Sequence, residues 1–447
     1  MTRRQLLAGL GLARTGRRPN VVFLFADDMR HDTIGALGNR EILTPNLDRL
    51  ARRGVSFTQA SIMGGTSGAV CIPSRAMVHS GLSLFHAHDS IVQPGGRTAR
   101  PYVLLGEHLG RNGYRRFGTG KWHNQPELFA RSFDSGKDIF FGGMSNQEKI
   151  PVRPYDATGR FPKATERIAE KFSSELFTDA AVEFLENRDA RKPYFLYCAY
   201  TAPHDPRTAP EEFRRMYDPA RISLPPNFLL QHPFDNGELK VRDELLAPFP
   251  RTPEVVKRHI ADYYACISYL DSQIGRVLSA LETNGDARNT IVVFAGDNGL
   301  ALGQHGLMGK QSVYEHSVRV PLILAGPGLG RGRQRSDFVY LLDIYPTLCQ
   351  LCGVDAPPHL EGQSVVGSGR GRESLFLAYR NLQRAVKTRE WKYIEYHVGG
   401  EIRRQLFHLR GDPWERTDLS AQGERLTASQ RLLREWQRKV DDPLQGE

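Results

Sequence analysis

Four strand-like runs constrain the fold of this chain more than any other feature of its sequence. Residues 21–26, 194–200 and 290–295 form short, almost continuously apolar runs, and a less apolar run covers 114–120. Runs of this kind are typical of buried parallel strands. Helical patterns lie between them, at 45–53, 173–186 and 254–281. This alternation predicts an α/β domain with a large, mostly parallel central sheet.

Polar residues follow each of these runs. In chain order the clusters are Asp27-Asp28, Lys121 with His123, His204, and Asp297-Asn298. In an open α/β sheet, ligands bind in the crevice at the carboxyl ends of the strands. The sequence therefore predicts that four segments far apart in the chain share one site.

The acidic clusters suit a hard divalent cation. Asp27, Asp28, Asp297 and Asn298 offer oxygen ligands, which Ca²⁺ and Mg²⁺ prefer. Each pair alone is also typical of a capped turn, because Asp-Asn-Gly is a common turn sequence. The recurrence of acidic pairs at two strand ends favours a metal site over two separate turns.

Basic residues near the same strand ends could bind a tetrahedral anion and transfer protons. They are Arg75, Lys121, His123, His204 and Lys310. Each alone is also typical of a surface residue or a structural histidine. Cys71 lies at the start of a predicted helix, with Pro73 in its first turn, and a helix amino terminus favours anions. A sulfate or phosphate group held there would lie beside Cys71.

The composition is that of a globular protein with an anionic partner. The formal net charge is +10 and the pI is near 9.4, which favours nucleic acid, a sulfated small molecule or a sulfated polysaccharide. No nucleic-acid module or aromatic–basic interleaving accompanies this charge. The five cysteines do not indicate a disulfide scaffold, and Cys349 and Cys352 fit a buried helix better than a redox pair.

The two ends of the chain differ from its centre. Residues 1–18 resemble a twin-arginine export signal, which predicts a periplasmic or secreted protein; a disordered basic tail on a cytoplasmic protein is the alternative. No stretch is long and apolar enough to span a bilayer. Residues 136–175 are expected to be irregular, and the proline-rich segment 206–253 is expected to wall a substrate site. Shorter, more polar strands follow Gly362.

Cys71-Ile72-Pro73-Ser74-Arg75 resembles the core motif of the type I sulfatases. Further segments are similar to other motifs of that family, in the family's order: 25–28, 120–123, 203–204, 296–299, 309–321 and 406–415. Small departures are His316, where glycine is common, and Asn124 after the Trp-His pair. The resemblance implies an alkaline-phosphatase-like three-layer sandwich at 19–358 and a smaller C-terminal α+β domain with an antiparallel sheet at 359–447.

The same resemblance implies a chemistry for the site. In this family the cysteine is oxidised to formylglycine by a formylglycine-generating enzyme, and one hydroxyl of its hydrate attacks sulfur. The hydrate at position 71 would bind Ca²⁺ together with Asp27, Asp28, Asp297 and Asn298. Arg75 would hold the nucleophile, and Lys121, Lys310 and His204 would bind sulfate. His204 or Lys310 would protonate the leaving alcohol, and His123 would take the second hydroxyl's proton so that sulfate is expelled.

These observations predict a sulfuric ester hydrolase whose substrate is a sulfated carbohydrate. A phosphonate monoester or phosphodiester hydrolase of the same superfamily is a second interpretation, and a non-catalytic anion-binding protein is a third. Asn124 and Arg207 are candidates for contacting the part of the substrate beyond its sulfate group. Asp205 is a weaker candidate, since loop packing explains it equally well.

Overall fold

The computed structural model describes residues 17–367 and 371–445 of the chain. The strands are β1 Asn20–Ala26, β2 Val55–Ser61, β3 Gly64–Gly65, β4 Arg115–Lys121, β5 Ser135–Phe140, β6 Lys149–Val152, β7 Arg167–Glu170, β8 Tyr194–Ala199, β9 Thr290–Gly296, β10 Leu322–Ala325, β11 Arg333–Tyr340, β12 Ser374–Tyr379, β13 Gln383–Thr388, β14 Trp391–Val398 and β15 Glu401–His408. The helices are α1 Pro45–Arg53, α2 Cys71–Ser80, α3 Leu84–Ala87, α4 Leu105–Arg111, α5 Pro126–Ser132, α6 Ser173–Glu186, α7 Glu211–Arg214, α8 Pro253–Thr283, α9 Glu315–Val318, α10 Ile344–Cys352 and α11 Gly423–Lys439.

An eight-stranded sheet forms the centre of the molecule, in the order β11-β2-β10-β9-β1-β8-β4-β5. The strands β9, β1, β8, β4 and β5 run parallel to one another, and β10 is antiparallel to both of its neighbours. The predicted mostly parallel sheet is therefore confirmed. The four runs singled out in the sequence are β9, β1, β8 and β4, which are consecutive in this sheet.

Helices cover both faces of the sheet, which gives the predicted three layers. Side chains of β1 alternate between the two hydrophobic cores because successive residues of a strand point to opposite faces. Phe23 and Phe25 pack in the core formed with α2, α4 and α10, whereas Val22 and Leu24 pack in the core formed with α1, α6 and α8. Because the core helices flank buried strands, the strand ends are held at fixed positions along one edge.

A second, five-stranded sheet has the order β15-β14-β13-β12-β3. Its four C-terminal strands are antiparallel, as expected, whereas β3 pairs with β12 in parallel. The β3 residues Gly64 and Gly65 lie only a few residues before Cys71. The C-terminal sheet is therefore joined directly to the segment that leads into α2, and the boundary at residue 358 stays a prediction.

Some local predictions were wrong. Residues 136–175 are not irregular throughout, because they contain most of β5 and the hairpin of β6 and β7. The polar strands expected after Gly362 were given no bounds, and neither β11 nor β12 was singled out in the sequence. At the start of α1 the side chain of Thr44 does not cap the helix; Asp271 of α8 instead accepts the N–H groups of Asn46 and Leu47, at 3.1 and 2.7 Å.

The predicted export signal and a membrane-spanning helix are separate questions for this chain. Residues 1–16, which carry most of the signal, lie outside the described residues. Among residues 17–367 and 371–445, no helix combines the length and the apolar character needed to cross a bilayer.

Candidate active site

The four polar clusters meet at the carboxyl edge of the central sheet, as predicted. Asp27 follows β1 and Asp297 follows β9, and the N–H group of Asp297 donates to the carbonyl of Ala26 at 3.0 Å. Lys121 is the last residue of β4, and His204 lies five residues after the end of β8. The N–H group of Asp27 donates to the carbonyl of Ala202 at 3.1 Å. These backbone bonds continue the strand pairing and hold the clusters side by side.

Cys71 begins α2 and faces these clusters from the other side of the crevice. Its Sγ lies 3.1 Å from Nδ1 of His123 and 3.6 Å from Nζ of Lys121. The side chain is almost fully buried, and this burial raises the pKa of the Cys71 thiol to about 11 even though Lys121 and Lys310 act in the opposite direction. As an unmodified cysteine the residue is therefore a thiol at neutral pH, and the thiolate is the nucleophilic form.

The carboxylates form a site that suits a divalent cation. Ligand atoms of Asp27, Cys71 and Asp297 all lie within 4.8 Å of one another. Oδ1 of Asp27 and Oδ1 of Asn298 are buried without a hydrogen-bond partner among residues 17–367 and 371–445. Burial, together with the charge of Asp27, raises the pKa of Asp297 to about 7. Buried, crowded and unpartnered oxygens of this kind are compensated by a hard cation, so the donor set fits Ca²⁺ or Mg²⁺.

Three cationic side chains surround the carboxylates. Nζ of Lys310 donates to both oxygens of Asp28, at 2.8 and 2.9 Å, and Nζ of Lys121 donates to Oδ2 of Asp27 at 2.5 Å. Nε of Arg75 donates to Oδ2 of Asp297 at 2.9 Å. Burial opposes ionisation of Asp28, but the pKa of this carboxyl is lowered because His204 and Lys310 lie beside it.

The two histidines of the site are held in defined positions. Burial lowers the pKa of His204 to about 4, with Lys310 acting in the same direction and Asp28 opposing it. Nε2 of His204 lies 3.5 Å from Asp28, and its Nδ1 lies 2.9 Å from the carbonyl of Asp205. Burial, followed by the charge of Lys121, lowers the pKa of His123 as well. A neutral His123 imidazole beside position 71 can accept a proton from that position.

Backbone strain marks the same residues. Asp28 has φ of 64° and His123 has φ of 57°, which is the left-handed region that costs an L-residue about 1–2 kcal/mol. At Asp28 the N–H group donates to Oδ1 of Asp297 at 3.0 Å and the carbonyl accepts from the hydroxyl of Tyr263 at 2.6 Å, which holds this conformation. Strain stored at a carboxylate and an imidazole of one crevice is typical of functional sites.

The three residues predicted to contact the substrate beyond its sulfate group lie in different surroundings. Asn124 is half-buried next to His123, and its Oδ1 has no partner within the described ranges. The guanidinium of Arg207 instead lies over the ring of Tyr263, 5.6 Å from its centroid. Asp205 is buried and forms an ion pair with Arg242, which supports the loop-packing interpretation for that residue.

The sequence did not indicate two further contributors to the site. The carbonyl of Gly143 accepts a hydrogen bond from Nζ of Lys121 at 2.5 Å, and a Cβ atom at Gly143 would meet the His123 ring at 2.9 Å. Nε2 of Gln311 donates to the carbonyl of Gly68 at 3.0 Å and to Asp243 at 2.8 Å. A contact made by a backbone carbonyl cannot be recognised from the residue type. The paired glycines 142–143 were therefore the only feature of the sequence that could have pointed to this loop.

Comparison with known proteins agrees with this geometry. Residues 19–354, about three quarters of the chain, match the sulfatase family model, and residues 303–441 match the model for the C-terminal region of N-sulphoglucosamine sulphohydrolase. A sulfatase of Formosa agariphila is 31% identical, and the match covers 89% of this chain and 82% of that protein. An N-acetylglucosamine-6-O-sulfatase of Bacteroides thetaiotaomicron is 25% identical over 95% of this chain and 87% of its own length.

Solved structures show the same fold. A Bacteroides fragilis protein assigned to the sulfatases superposes with a TM-score of 0.78 at 24% identity, covering 97% of this chain and 98% of that one. The phosphonate monoester hydrolase of Agrobacterium radiobacter superposes with a TM-score of 0.75 at 22% identity, covering 95% of each chain. By the family model and the 31% identical relative, the chain belongs to the sulfatase family of the alkaline phosphatase superfamily and is a sulfuric ester hydrolase.

Proposed function

We propose that this protein hydrolyses sulfate esters of carbohydrates at Cys71, with this residue matured to formylglycine and with Ca²⁺ at the adjoining carboxylates. The observation that carries the proposal is the convergence at one buried point. Ligand atoms of Asp27, Cys71 and Asp297 lie within 4.8 Å of one another, and His123 and Lys121 contact the same Sγ. The four segments come from opposite halves of the chain, so capped turns alone do not account for their meeting.

The metal ligands in this proposal are Asp27, Asp28, Asp297, Asn298 and position 71. Lys121 and Lys310 balance the negative charge of the carboxylates in this structure. A bound Ca²⁺, or Mg²⁺ in its place, would supply that positive charge instead, so that both ammonium groups could bind a sulfate anion. Arg75 would keep its position with or without the ion, because its Nε donates to Asp297 and its Nη1 donates to the carbonyl of Lys121 at 2.8 Å.

Position 71 supplies the nucleophile. When matured, formylglycine provides an aldehyde hydrate with two hydroxyl oxygens, one to accept the sulfuryl group and one whose deprotonation lets sulfate leave. Cys71 is nearly inaccessible in the folded chain, so a formylglycine-generating enzyme is expected to act before folding is complete. That enzyme is the maturation partner of this proposal.

The remaining groups bind and move protons. Lys121 lies beside Sγ of Cys71, and Lys310 and His204 lie beside Asp28; in this proposal the three side chains bind the sulfate oxygens as cationic and hydrogen-bonding donors. His204 or Lys310 donates a proton to the departing alcohol oxygen. His123, neutral because of its burial and its cationic neighbours, accepts the proton from the second hydroxyl at position 71. The water consumed in the overall hydrolysis is the one that rehydrates the aldehyde.

A carbohydrate is the proposed carrier of the sulfate ester. The chain's net charge of +10 favours a polyanionic or sulfated substrate. The 25% identical relative from Bacteroides thetaiotaomicron is an N-acetylglucosamine-6-O-sulfatase. Asn124 follows His123 directly, and its Oδ1 has no partner among the residues that the structure describes, which makes it the first candidate for a hydroxyl contact. Arg207 is a weaker candidate, because its guanidinium packs on Tyr263. Export through the predicted signal at residues 1–18 would give the enzyme access to such substrates.

Mass spectrometry and kinetics on the same sample test the proposal. The peptide containing residue 71 should have the mass of formylglycine, and turnover of an aryl sulfate should rise with the modified fraction. A Cys71→Ser variant is the control: a serine alkoxide can accept the sulfuryl group but has no second hydroxyl, so it should accumulate a sulfated peptide without turnover. Turnover by fully unmodified Cys71 protein would contradict the proposal.

Two substrate comparisons separate this function from its competitors. Faster turnover of a phosphodiester than of an aryl sulfate would assign the chain to the phosphonate and phosphodiester hydrolases of the superfamily. Among sulfate esters, a panel of sulfated sugars should include the best substrate. Turnover of choline sulfate or simple aryl esters without turnover of any sulfated sugar would contradict the carbohydrate assignment.

A further inference from the structure

The edge of the central sheet opposite to the active site carries a row of basic residues. The strands β11, β2, β9, β1, β8 and β4 all run in one direction, because β10 is antiparallel to both β2 and β9 and the other neighbours among them are parallel. These strands therefore begin at one edge and end at the edge where Cys71 lies. The seven residues of β1 separate the two edges by about 23 Å.

Exposed basic side chains lie at or just before the start of five of these strands. They are Arg52 before β2, Arg115 in β4, Lys192 before β8, Arg288 before β9, and Arg331 and Arg333 at β11. We call these six residues the basic row. Backbone hydrogen bonds keep its members at the edge: the N–H group of Arg333 donates to the carbonyl of Gly54 at 3.2 Å, and the N–H group of Arg115 donates to the carbonyl of Pro193 at 2.9 Å.

The charge of the basic row is largely uncompensated. Four carboxylates near it are already paired with other arginines: Asp134, Asp189, Glu282 and Asp286 pair with Arg116, Arg191, Arg53 and Arg188, in that order. Glu186, which ends α6 and is exposed, offsets one positive charge. No member of the row forms an ion pair within residues 17–367 and 371–445. Six exposed cations against one free carboxylate create a positive surface that attracts an anionic partner.

The shape of the basic row suits a long partner. From β11 to β4 the row crosses six strand intervals of the sheet, which is about 29 Å at the usual spacing of neighbouring strands. A small anion would contact one or two of the six cations. An extended polyanion that lies across the strand starts could contact most of them, so the row favours a linear anionic polymer.

The residues around the basic row distinguish between classes of polyanion. Interfacial membrane binding uses apolar side chains together with basic ones, and none of the large apolar side chains exposed on the described surface lies in the segments that form the row. Single-stranded nucleic acids stack their bases on exposed aromatic rings, whereas Tyr114 and Tyr194, the aromatic residues next to Arg115 and Lys192, are buried. An anionic polysaccharide requires neither feature.

We propose that the basic row binds an anionic polysaccharide and holds the enzyme on a polymeric substrate while the opposite edge of the sheet carries out the reaction. The choice of a polysaccharide among linear polyanions rests on the proposed carbohydrate function. Since the row and Cys71 lie at opposite edges, the row should control the binding of long chains and should not affect the turnover of small esters.

Titration calorimetry of the full chain with a galacturonate decamer tests this proposal. The decamer is an anionic polysaccharide without a sulfate ester, and its methyl ester is the matched neutral chain. We expect the decamer to bind at least about tenfold more tightly than its methyl ester or a galacturonate dimer. The triple variant Lys192→Glu, Arg288→Glu and Arg333→Glu should weaken decamer binding at least about tenfold.

A second triple variant separates the basic row from the net charge of the chain. Arg404, Arg416 and Arg431 are exposed and lie in the C-terminal region, so changing all three to Glu alters the net charge by the same amount. This control should bind the decamer as the wild type does. Both variants should keep the wild-type melting temperature and the wild-type turnover of an aryl sulfate, which shows that the fold is intact.

Several results would overturn the proposal. They are equal weakening of decamer binding in the two triple variants, wild-type binding in the row variant, and tighter binding of a short DNA duplex or of phosphatidylglycerol vesicles than of the decamer. A failure of the proposed function gives a different result: wild-type protein with formylglycine at position 71 would show no turnover of any sulfate ester, while binding of the decamer would still depend on the row.

Discussion

Gly143→Ala is a direct test of the role assigned to His123. The added Cβ would lie 2.9 Å from both Cε1 and Nε2 of the His123 ring, whereas ordinary contacts begin near 3.4 Å. The ring must therefore move by roughly 0.5 Å or more, away from Gly143 and relative to position 71. Since a displacement of about 1 Å at a catalytic group can cost about 100-fold in rate, we expect kcat to fall by about 10- to 100-fold.

Stability should change little in this variant. The φ angle of Gly143 is not in the left-handed region, and replacing glycine by alanine at a compatible position stabilises a protein by about 0.4–1 kcal/mol through the unfolded state. This gain offsets part of the steric cost at His123. Initial rates on an aryl sulfate, normalised to the formylglycine content of each sample, would report kcat, and thermal unfolding would report stability.

Gly423→Ala is the matched control, because a Cβ at Gly423 meets no atom within 4 Å. It should leave kcat unchanged. The reasoning would be refuted if Gly143→Ala kept the wild-type kcat. It would also be refuted if the loss of activity followed a loss of folded protein, since the contact would then serve the loop rather than the imidazole.

Three further predictions concern charge in the core and the metal. Lys392→Met removes a buried ammonium that lies 3.0 Å from Glu315 and 2.8 Å from Glu415, so urea unfolding should show a free energy of unfolding that is lower by about 3–5 kcal/mol. The control variant Arg410→Met breaks an exposed ion pair and should lower the same free energy by less than about 1 kcal/mol. Equal losses in the two variants would contradict the burial argument. Burial raises the pKa of Asp271 to about 6, so the folded state holds this proton more tightly than the unfolded state does. The stability of the wild type relative to Asp271→Asn should therefore decrease by up to about 3 kcal/mol as pH rises from about 4 to 7. A relative stability that rises over this range would contradict the prediction. Chelation of Ca²⁺ should abolish turnover and lower the melting temperature, and Ca²⁺ should restore both; full activity after chelation would exclude a role for the metal.

The sequence predicted the centre of the fold well because its signal there is strong. The strands β1, β8 and β9 are buried on both faces and are therefore continuously apolar, and each is followed by residues with functional chemistry. Edge strands have no such signal. The first half of β11 is largely exposed and arginine-rich, and β5 begins with Ser135-Gly136-Lys137, so both look like loops in the sequence. In contrast, β12 carries an apolar run that could have been recognised.

The candidate site shows a similar limit. Side chains fixed by strand ends, such as Asp27 and Lys121, could be placed because the sheet order brings strand ends together. The contribution of Gly143 comes from a backbone carbonyl, which every residue possesses. Arg207 was named as a candidate for contacting the part of the substrate beyond its sulfate group. Its direction depends on the packing of the loop against Tyr263, which spacing alone does not determine.

Metal content is the most direct test of the central claim, that carboxylates from two distant segments share one cation beside position 71. Purified protein should hold one Ca²⁺ per chain, measured by elemental analysis and by calorimetric titration of the metal-free form. Asp27→Ala and Asp297→Ala should each lose that ion, and the loss should be as large for one as for the other. A wild-type chain without stoichiometric metal, or a folded Asp297→Ala variant that binds Ca²⁺ as the wild type does, would contradict the account.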